Sequence, residues 1–324
     1  MNLAFISLHR IIMDIPYSKI ARSMTIEQLA IFIAVAERQH LTQGASAIGL
    51  TPSAASAAIK ALETFHAVRL FDRVGRGIEL TREGRTFLEE ARQTLARLRQ
   101  AERVLDDLGG LQRGDLDIMA SQTVANYWLP LRLFRFAASY PGITINFTPA
   151  NTHDVAAAVL SGAAELGVVE GQVDVPALAV RPIGHDRLVV VSSAAFSLEK
   201  RHPTDLEWIM REPGSGTRTE FEAGIGRLGF DPTKLKVVLT LPTNEAILNA
   251  VLGSDCVAAL SEMVVAPFVE AGRLQILPFA LPRRDFGLLT HRERALSTAA
   301  RAFSTLCLDS AAPSAISAGA AQPL

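Results

Sequence analysis

The sequence predicts two kinds of domain in one chain: an N-terminal, α-rich winged helix-turn-helix with a long linker helix, and a C-terminal α/β part in two lobes. Three observations predict it. From Met24 to Leu108 apolar residues recur mostly at three- and four-residue spacings, broken by one short glycine-containing segment of strand character. From Asp115 onward short strand-like runs alternate with helical patterns, which implies mostly parallel sheets. The chain is also 324 residues long, more than the roughly 100 to 200 usual for one domain.

Composition narrows the class. Hydrophobic residues make up 49% and charged residues 20%, and no apolar run approaches the ~20 residues that span a bilayer, so no membrane partner is expected. Two cysteines, Cys256 and Cys307, cannot build a disulfide framework or a four-thiolate zinc site, which fits a reducing compartment, read as the cytoplasm. The net charge of −1, from 32 basic and 33 acidic residues, gives no general pull toward nucleic acid. Any such binding rests on local placement of charge.

Residues 1–23 lack the cleavage site of a signal peptide and read as an upstream start or a loose extension before Met24. Ile26, Leu29, Phe32, Ile33 and Ala36 define the buried face of a first helix. Thr42 is expected to cap a short second helix that Gly49 ends. Thr51 followed by Pro52 starts a third helix to about Phe65, with Ala55, Ile59 and Leu62 facing inward. Two short helices joined by a tight turn form a helix-turn-helix, whose second helix offers its first turns to a DNA major groove. The stretch VRLFDRVGRGIELT (68–81) then reads as a hairpin with Arg73 and Arg76 at its tip, a wing within reach of phosphates.

A helix over 82–109 follows, with Leu88, Leu95, Leu98 and Leu105 on a narrow seam that calls for a second copy of the chain. Gly109, Gly110 and Gly114 mark a linker. In 114–310 strands are expected at Leu116–Ala120, Ile143–Phe147, Leu166–Val169, Leu188–Val191, Trp208–Met210, Val237–Leu241, Val257–Leu260, Leu274–Leu277 and Phe286–Thr290. Helical patterns lie near 124–139, 153–161, 218–228, 244–252, 262–271 and 298–308. The long middle run divides this part into lobe I, about 114–184 with 285–310, and lobe II, about 185–281. Residues 311–324 read as a disordered tail.

With these elements in place, MTIEQLAIFIAVA (24–36), LTPSAASAAIKALE (50–63), VRLFDRVGRGIELTREG (68–84) and LPLRLFRFAASYP (129–141) resemble the LysR-type transcriptional regulators. WIMREPGSGTR (208–218) and LPTNEAILNAV (241–251) resemble the branch that includes regulators of sulfur assimilation and carbon fixation. The resemblance implies a winged helix-turn-helix over 24–81, a linker-helix dimer or tetramer, and an effector domain similar to periplasmic binding proteins. It implies double-stranded promoter DNA and a small-molecule effector as partners, and leaves RNA polymerase open as a further one. No cofactor, metal or enzymatic activity is expected.

The expected DNA-facing residues are Thr42 and Gln43 on the second helix, Thr51, Ser53, Ser56 and Lys60 on the third, and Arg73 and Arg76 on the wing. Many members carry Gln where Pro52 stands and Arg where Ala57 stands, so reading here leans on small hydroxyls and one lysine. The expected effector residues come from two strand-to-helix turns, Ser121 and Thr123 in one lobe and Ser215, Thr217 and Arg218 in the other, with Asn244 at a third helix start. Hydroxyls beside free N–H groups at helix starts favour a small anion.

Competing readings fail on context. GIGRLG (224–229) fits a dinucleotide-binding pattern but closes a helix, Ser215 has Pro213 where a nucleophile elbow needs glycine, and the histidines show no ligand spacing. Both cysteines are expected to be buried and inert, without basic neighbours. A solute-binding protein for uptake would share the two lobes, but the helix-turn-helix and the missing export signal argue against it.

Overall fold

The computed structural model describes residues 24–75, 77–108, 113–197 and 202–309, and the chain divides into two compact units after Arg99. Arg76, the extension 1–23, the glycine pair Gly109–Gly110 and the tail 311–324 lie outside the described residues.

In the first unit, helix α1 (Ile26–Arg38) opens with a reciprocal cap: Thr25 Oγ1 accepts from Gln28 N–H, and the Gln28 side chain accepts from Thr25 N–H. Its Leu29, Phe32, Val35 and Ala36 are buried, and the Phe32 ring lies 5.5 Å from Phe71 and 4.8 Å from Phe87. Helix α2 (Leu41–Ala47) is capped by His40, whose Nδ1 accepts from Gln43 N–H at 3.4 Å, and not by Thr42. Leu41 packs onto the core, which draws the helix start two residues earlier and leaves Thr42 exposed within its first turn. Helix α3 (Pro52–His66) has the Thr51 cap, with Thr51 Oγ1 accepting from Ala54 N–H at 3.2 Å. A side chain at Gly44 would bring its Cβ within 2.6 Å of Val35 Cα, so only glycine lets α2 cross α1 this closely.

Strands β1 (Phe71–Val74) and β2 (Gly77–Leu80) pair antiparallel as the wing. The wing root is tied to α3, because Glu63 Oε1 accepts from Leu70 N–H at 2.7 Å and Phe71 N–H at 3.2 Å. Helix α4 (Arg82–Leu108) contributes Leu88 and Ala91 to the same core, with Leu95 packed at its edge. Leu88 is therefore not part of an open seam. Its burial against its own domain leaves half-buried Leu98 and Leu105, 70% exposed, as the seam leucines turned most to solvent.

The second unit has two lobes joined by long strands. In lobe I, β3 (Gly114–Ser121) pairs parallel with β4 (Ile143–Ala150) and β5 (Leu166–Glu170). Strand β6 (Leu178–Ser193) pairs along its first part with β11 (Arg283–His291), then runs on to pair with β9 (Ala258–Ser261) and β10 (Leu274–Leu277) in lobe II. Strands β7 (Glu207–Arg211) and β8 (Lys236–Leu241) complete that lobe as a parallel pair. The expectation of mostly parallel sheets is corrected here, since every ladder made by β6 and β11 is antiparallel. Both strands run between the lobes without a helical crossover, so their direction is free of the rule that makes βαβ units parallel. β6 is accordingly far longer than the segment Leu188–Val191 expected for it.

The helices of this unit are α5 (Pro130–Ser139), α6 (Thr152–Ser161), α7 (Gly216–Arg227), α8 (Asn244–Leu252), α9 (Glu262–Glu270) and α10 (Thr298–Asp309). The helix expected over 124–139 is split: a π-turn at Val124–Trp128, with Leu129 N–H bonded to Val124 O at 2.9 Å, precedes α5, where Pro130 takes the first position. Lobe I packs around Leu116, Phe136, Phe286 and Phe303, and lobe II around Trp208, Phe221 and Val257.

Cys307 is in the lobe I core, and burial pushes its thiol up to about 12 although the nearby Arg132 guanidinium pulls the other way. That neighbour was not expected from the sequence, and Cys256 is half-buried where full burial was. A thiol with so high a pKa stays protonated and unreactive at neutral pH. We predict that iodoacetamide at pH 8 modifies Cys256 in the native protein and leaves Cys307 untouched until denaturant is added; peptide mass mapping that finds equal labelling of both would contradict this.

Candidate functional site

Two regions gather the residues singled out from the sequence. On α3, Ser53, Ser56 and Lys60 are exposed on the face opposite Ala55, Ile59 and Leu62, which the core takes. Thr51 and Ser53 share a hydroxyl bond of 3.0 Å at the start of that helix. Thr42, Gln43 and Arg73 are exposed as well, on α2 and β1. The set offers short hydroxyls at a helix start and cations on the helix and wing, a combination that suits phosphate and base-edge contacts.

The second region lies between the lobes, where the chain crosses on β6 and β11. Arg284 and Asp186 are cross-strand partners there, and the Arg284 guanidinium reaches Asp186 Oδ2 at 2.7 and 3.2 Å with both side chains buried. Its remaining N–H groups donate to Thr217 Oγ1 at 3.1 Å and Thr123 Oγ1 at 3.4 Å, one residue from each lobe. Thr123 Oγ1 also accepts from Asn244 Nδ2 at 3.1 Å, and Asn244 Oδ1 accepts from Arg211 Nη1 at 2.8 Å. The hydroxyls of Ser121, Thr123 and Thr217 all donate to the carboxylate of Glu170, the last residue of β5. Further out, Tyr127 Oη and Asn126 Nδ2 of lobe I donate to Glu245 Oε1 at the start of α8, and burial together with that carboxylate pushes the Tyr127 phenol up to about 12.

Local sequence explains the close approach at α7. A Cβ on Gly216 would lie 2.4 Å from Glu170 O and 2.5 Å from Thr152 Oγ1, so glycine lets the helix start against the end of β5. Gly216 N–H donates to Thr152 Oγ1 at 3.2 Å, a cap lent by the other lobe. Ser215, at the helix's own cap position, makes no capping bond, and its buried Oγ has no partner among the described residues.

Of the residues expected in this cleft, Ser121, Thr123, Thr217 and Asn244 join one buried network, and Ser215 lies at its edge. Arg218 does not. Its Nε binds Glu222 at 2.8 Å one turn along α7, and its Nη1 binds Arg211 O at 3.1 Å. The cleft's guanidiniums are Arg284 and Arg211, which the sequence did not single out, and its carboxylates are Glu170 and Asp186.

The chain matches two sequence families: residues 26–85 match "Bacterial regulatory helix-turn-helix protein, lysR family", and residues 109–312 match "LysR substrate binding domain". It is 34% identical over 292 residues to the uncharacterized HTH-type transcriptional regulator YeiE of Escherichia coli K12, covering 88% of this chain and 97% of that protein. It is 30% identical to the HTH-type transcriptional regulator CbbR of Rhodospirillum rubrum, covering 86% and 93% of the two chains. Full-length CbnR, solved with its target DNA, has the same fold, with a TM-score of 0.61 at 19% identity over 89% of this chain and all of that one. The regulatory domain of Synechocystis PCC6803 CcmR, solved with 2-PG, gives a TM-score of 0.55 at 24% identity over 62% of this chain and 99% of that one. A helix-turn-helix with an exposed hydroxyl and lysine face, a two-lobed effector domain and matches along both domains make this chain a transcriptional regulator of the LysR family.

Proposed function

We propose that the protein is a dimer or tetramer that acts in the cytoplasm, binds promoter DNA through α3 and the wing, and is controlled by a small anion held between the lobes of its effector domain. The observation that carries the effector reading is the convergence of Ser121, Thr123 and Thr217 hydroxyls, backed by the Arg284 guanidinium, on one carboxylate-sized position. Donors that all point to one place favour negative charge, and a neutral apolar ligand would leave them unpaired. The CcmR regulatory domain, which shares this fold and was solved in complex with 2-PG, supports a small molecule as the ligand.

Equal numbers of acidic and basic residues between Met24 and Leu108 leave little net attraction to DNA, so affinity rests on a few placed cations and on more than one copy. Lys60 and Arg73 are the proposed phosphate contacts. Replacing both by alanine should weaken binding to the operator and to unrelated DNA alike, and the slope of log affinity against log salt should become shallower by about two for each copy of the chain that contacts the DNA. An unchanged slope in mobility-shift titrations would remove both residues from the interface.

For the linker helix, Leu95→Asp with Leu98→Asp places two carboxylates on the proposed seam. Sedimentation velocity should show a smaller species that no longer binds DNA. Retention of the wild-type oligomer would contradict the seam.

In the cleft, Thr123→Val removes a hydroxyl that accepts from Arg284 and Asn244 and donates into the anion position. Loss of one hydrogen bond to a charged partner costs about 1.5 to 3 kcal/mol, part of which cancels because the same hydroxyl serves Glu170 in the free protein, so the response of the full-length protein to sulfate or phosphate should weaken by up to roughly a hundredfold by calorimetry. Binding of the preferred anion that is unaffected by this change would place the effector elsewhere.

A further inference from the structure

The anion position proposed above already holds a negative charge of the protein's own. Glu170 ends β5, a strand whose five residues are all buried, and the glutamate itself is 1% exposed. No guanidinium among the described residues binds its carboxylate. Arg284 is committed to Asp186, and Arg211 to Glu212 at 2.8 and 2.9 Å. Glu170 is held instead by hydroxyls whose directions are fixed from behind. Thr123 Oγ1 accepts from Arg284 and Asn244, and Thr217 Oγ1 accepts from Arg284, so each has a single proton left and gives it to Glu170 Oε1. Ser121 Oγ accepts from Glu170 N–H at 3.1 Å and gives its proton to Glu170 Oε2.

A hydroxyl has one proton to donate. An anion placed among Ser121, Thr123 and Thr217 therefore cannot be bound by the same protons that bind Glu170, and it would face an unneutralised carboxylate at close range. Independently, Ser215 Oγ, 1% exposed at the start of the twelve-residue helix α7, has no partner among the described residues, so a buried hydroxyl two residues before Thr217 is left that Glu170 does not use. A buried polar atom of that kind is uncommon unless something absent from the structure completes it.

We propose that Glu170 is a tethered internal competitor: its carboxylate fills the hydroxyl cradle when no effector is bound, and an anionic effector binds by displacing it. Glu170 then sets the concentration at which the regulator responds and discriminates against weak anions that cannot displace it. The arrangement also gives the effector a mechanical consequence. Glu170 belongs to lobe I and Thr217 to lobe II, so displacing the carboxylate exchanges one bond between the lobes for bonds to the ligand. This proposal rests on the reading of the cleft as an anion site.

The test uses the full-length protein and three probes, acetate, sulfate and phosphate, titrated at constant ionic strength with chloride as the balancing salt. Acetate is chosen because it is the missing end of the glutamate side chain. Glu170→Ala should bind at least one probe ten times more tightly than wild type or better, and acetate should raise its thermal transition while leaving that of wild type unchanged. Glu170→Gln, which keeps the volume and removes the charge, should also gain affinity, by a smaller factor, and serves if the alanine protein does not fold. Variants that fold and bind the anions no more tightly than a wild type that does bind them would overturn the competitor role and leave the anion site standing. If neither wild type nor variant responds to any of the three, the anion reading of the cleft falls and the competitor role with it.

Discussion

The buried ion pair between Arg284 and Asp186 is the constraint on which the effector domain depends. The two residues face each other across β11 and β6, the strands that run between the lobes, and each side chain is 1% exposed. Removing one partner of such a pair typically costs about 3 to 5 kcal/mol, because the other is left charged and dry. The pair is also directional. Asp186 fixes one edge of the guanidinium, and the other N–H groups then meet Thr217 in one lobe and Thr123 in the other. Once those hydroxyls accept from Arg284, their own protons can point only onward, so the ion pair at the crossover dictates the polarity of the cleft.

From that hub the connections run in two directions. Toward solvent, Asn244 and Glu245 at the start of α8 meet Thr123, Asn126 and Tyr127, which closes the lobes across their mouth. Along β3, the strand whose last residue is Ser121, Asp117 lies 3.9 Å from Arg103 near the end of α4, and Arg103 is equally close to Glu165. Burial raises the Glu165 pKa, opposed by hydrogen bonds from Ser297 and by Arg103. The strand that supplies one cradle hydroxyl thus also meets Arg103, a residue of the same unit. Adjacency of this kind provides a physical route for coupling, and only a second arrangement biased by the effector would make it a switch.

What could be read from the sequence was local. The Thr51–Pro52 start, the wing and the strand-to-helix turns at Ser121 and Ser215 each depend on neighbours within a few residues, and the chain announces them. The cap of α2 failed by two residues, because Leu41 is drawn into a core whose demands propensity does not express. The larger misses are long-range. Arg218 looked like the cleft's cation because it adjoins the turn, yet Glu222 waits one helical turn away and satisfies it locally. Arg284 is 67 residues from Thr217 and 161 from Thr123, so nothing nearby in the chain marks it. Glu170 had one signal: a carboxylate directly after four apolar strand residues. That pattern normally means the strand has reached the surface, and only the tertiary structure distinguishes a strand that ends in water from one that ends in a ring of hydroxyls.

The same contrast governs the linker helix. A heptad pattern says which residues share a stripe, and it cannot say which part of the stripe the helix's own domain has already covered. Leu88 and Ala91 complete the core built by Phe32, Phe71 and Leu80, so the first three turns of α4 hold the winged domain together whether or not a second copy is present. Beyond them the stripe opens progressively, from Leu95 at the edge of that core, through half-buried Leu98, to Val104 and Leu105 in solvent. In the proposed dimer this separates two demands on one helix: folding of the DNA-binding domain draws on its first half, and association draws on its second. A substitution in the second half, at Leu98 or Leu105, therefore acts on assembly without first unfolding the surface that meets DNA, whereas one at Leu95 also touches the edge of the winged-domain core and one at Leu88 lies within it.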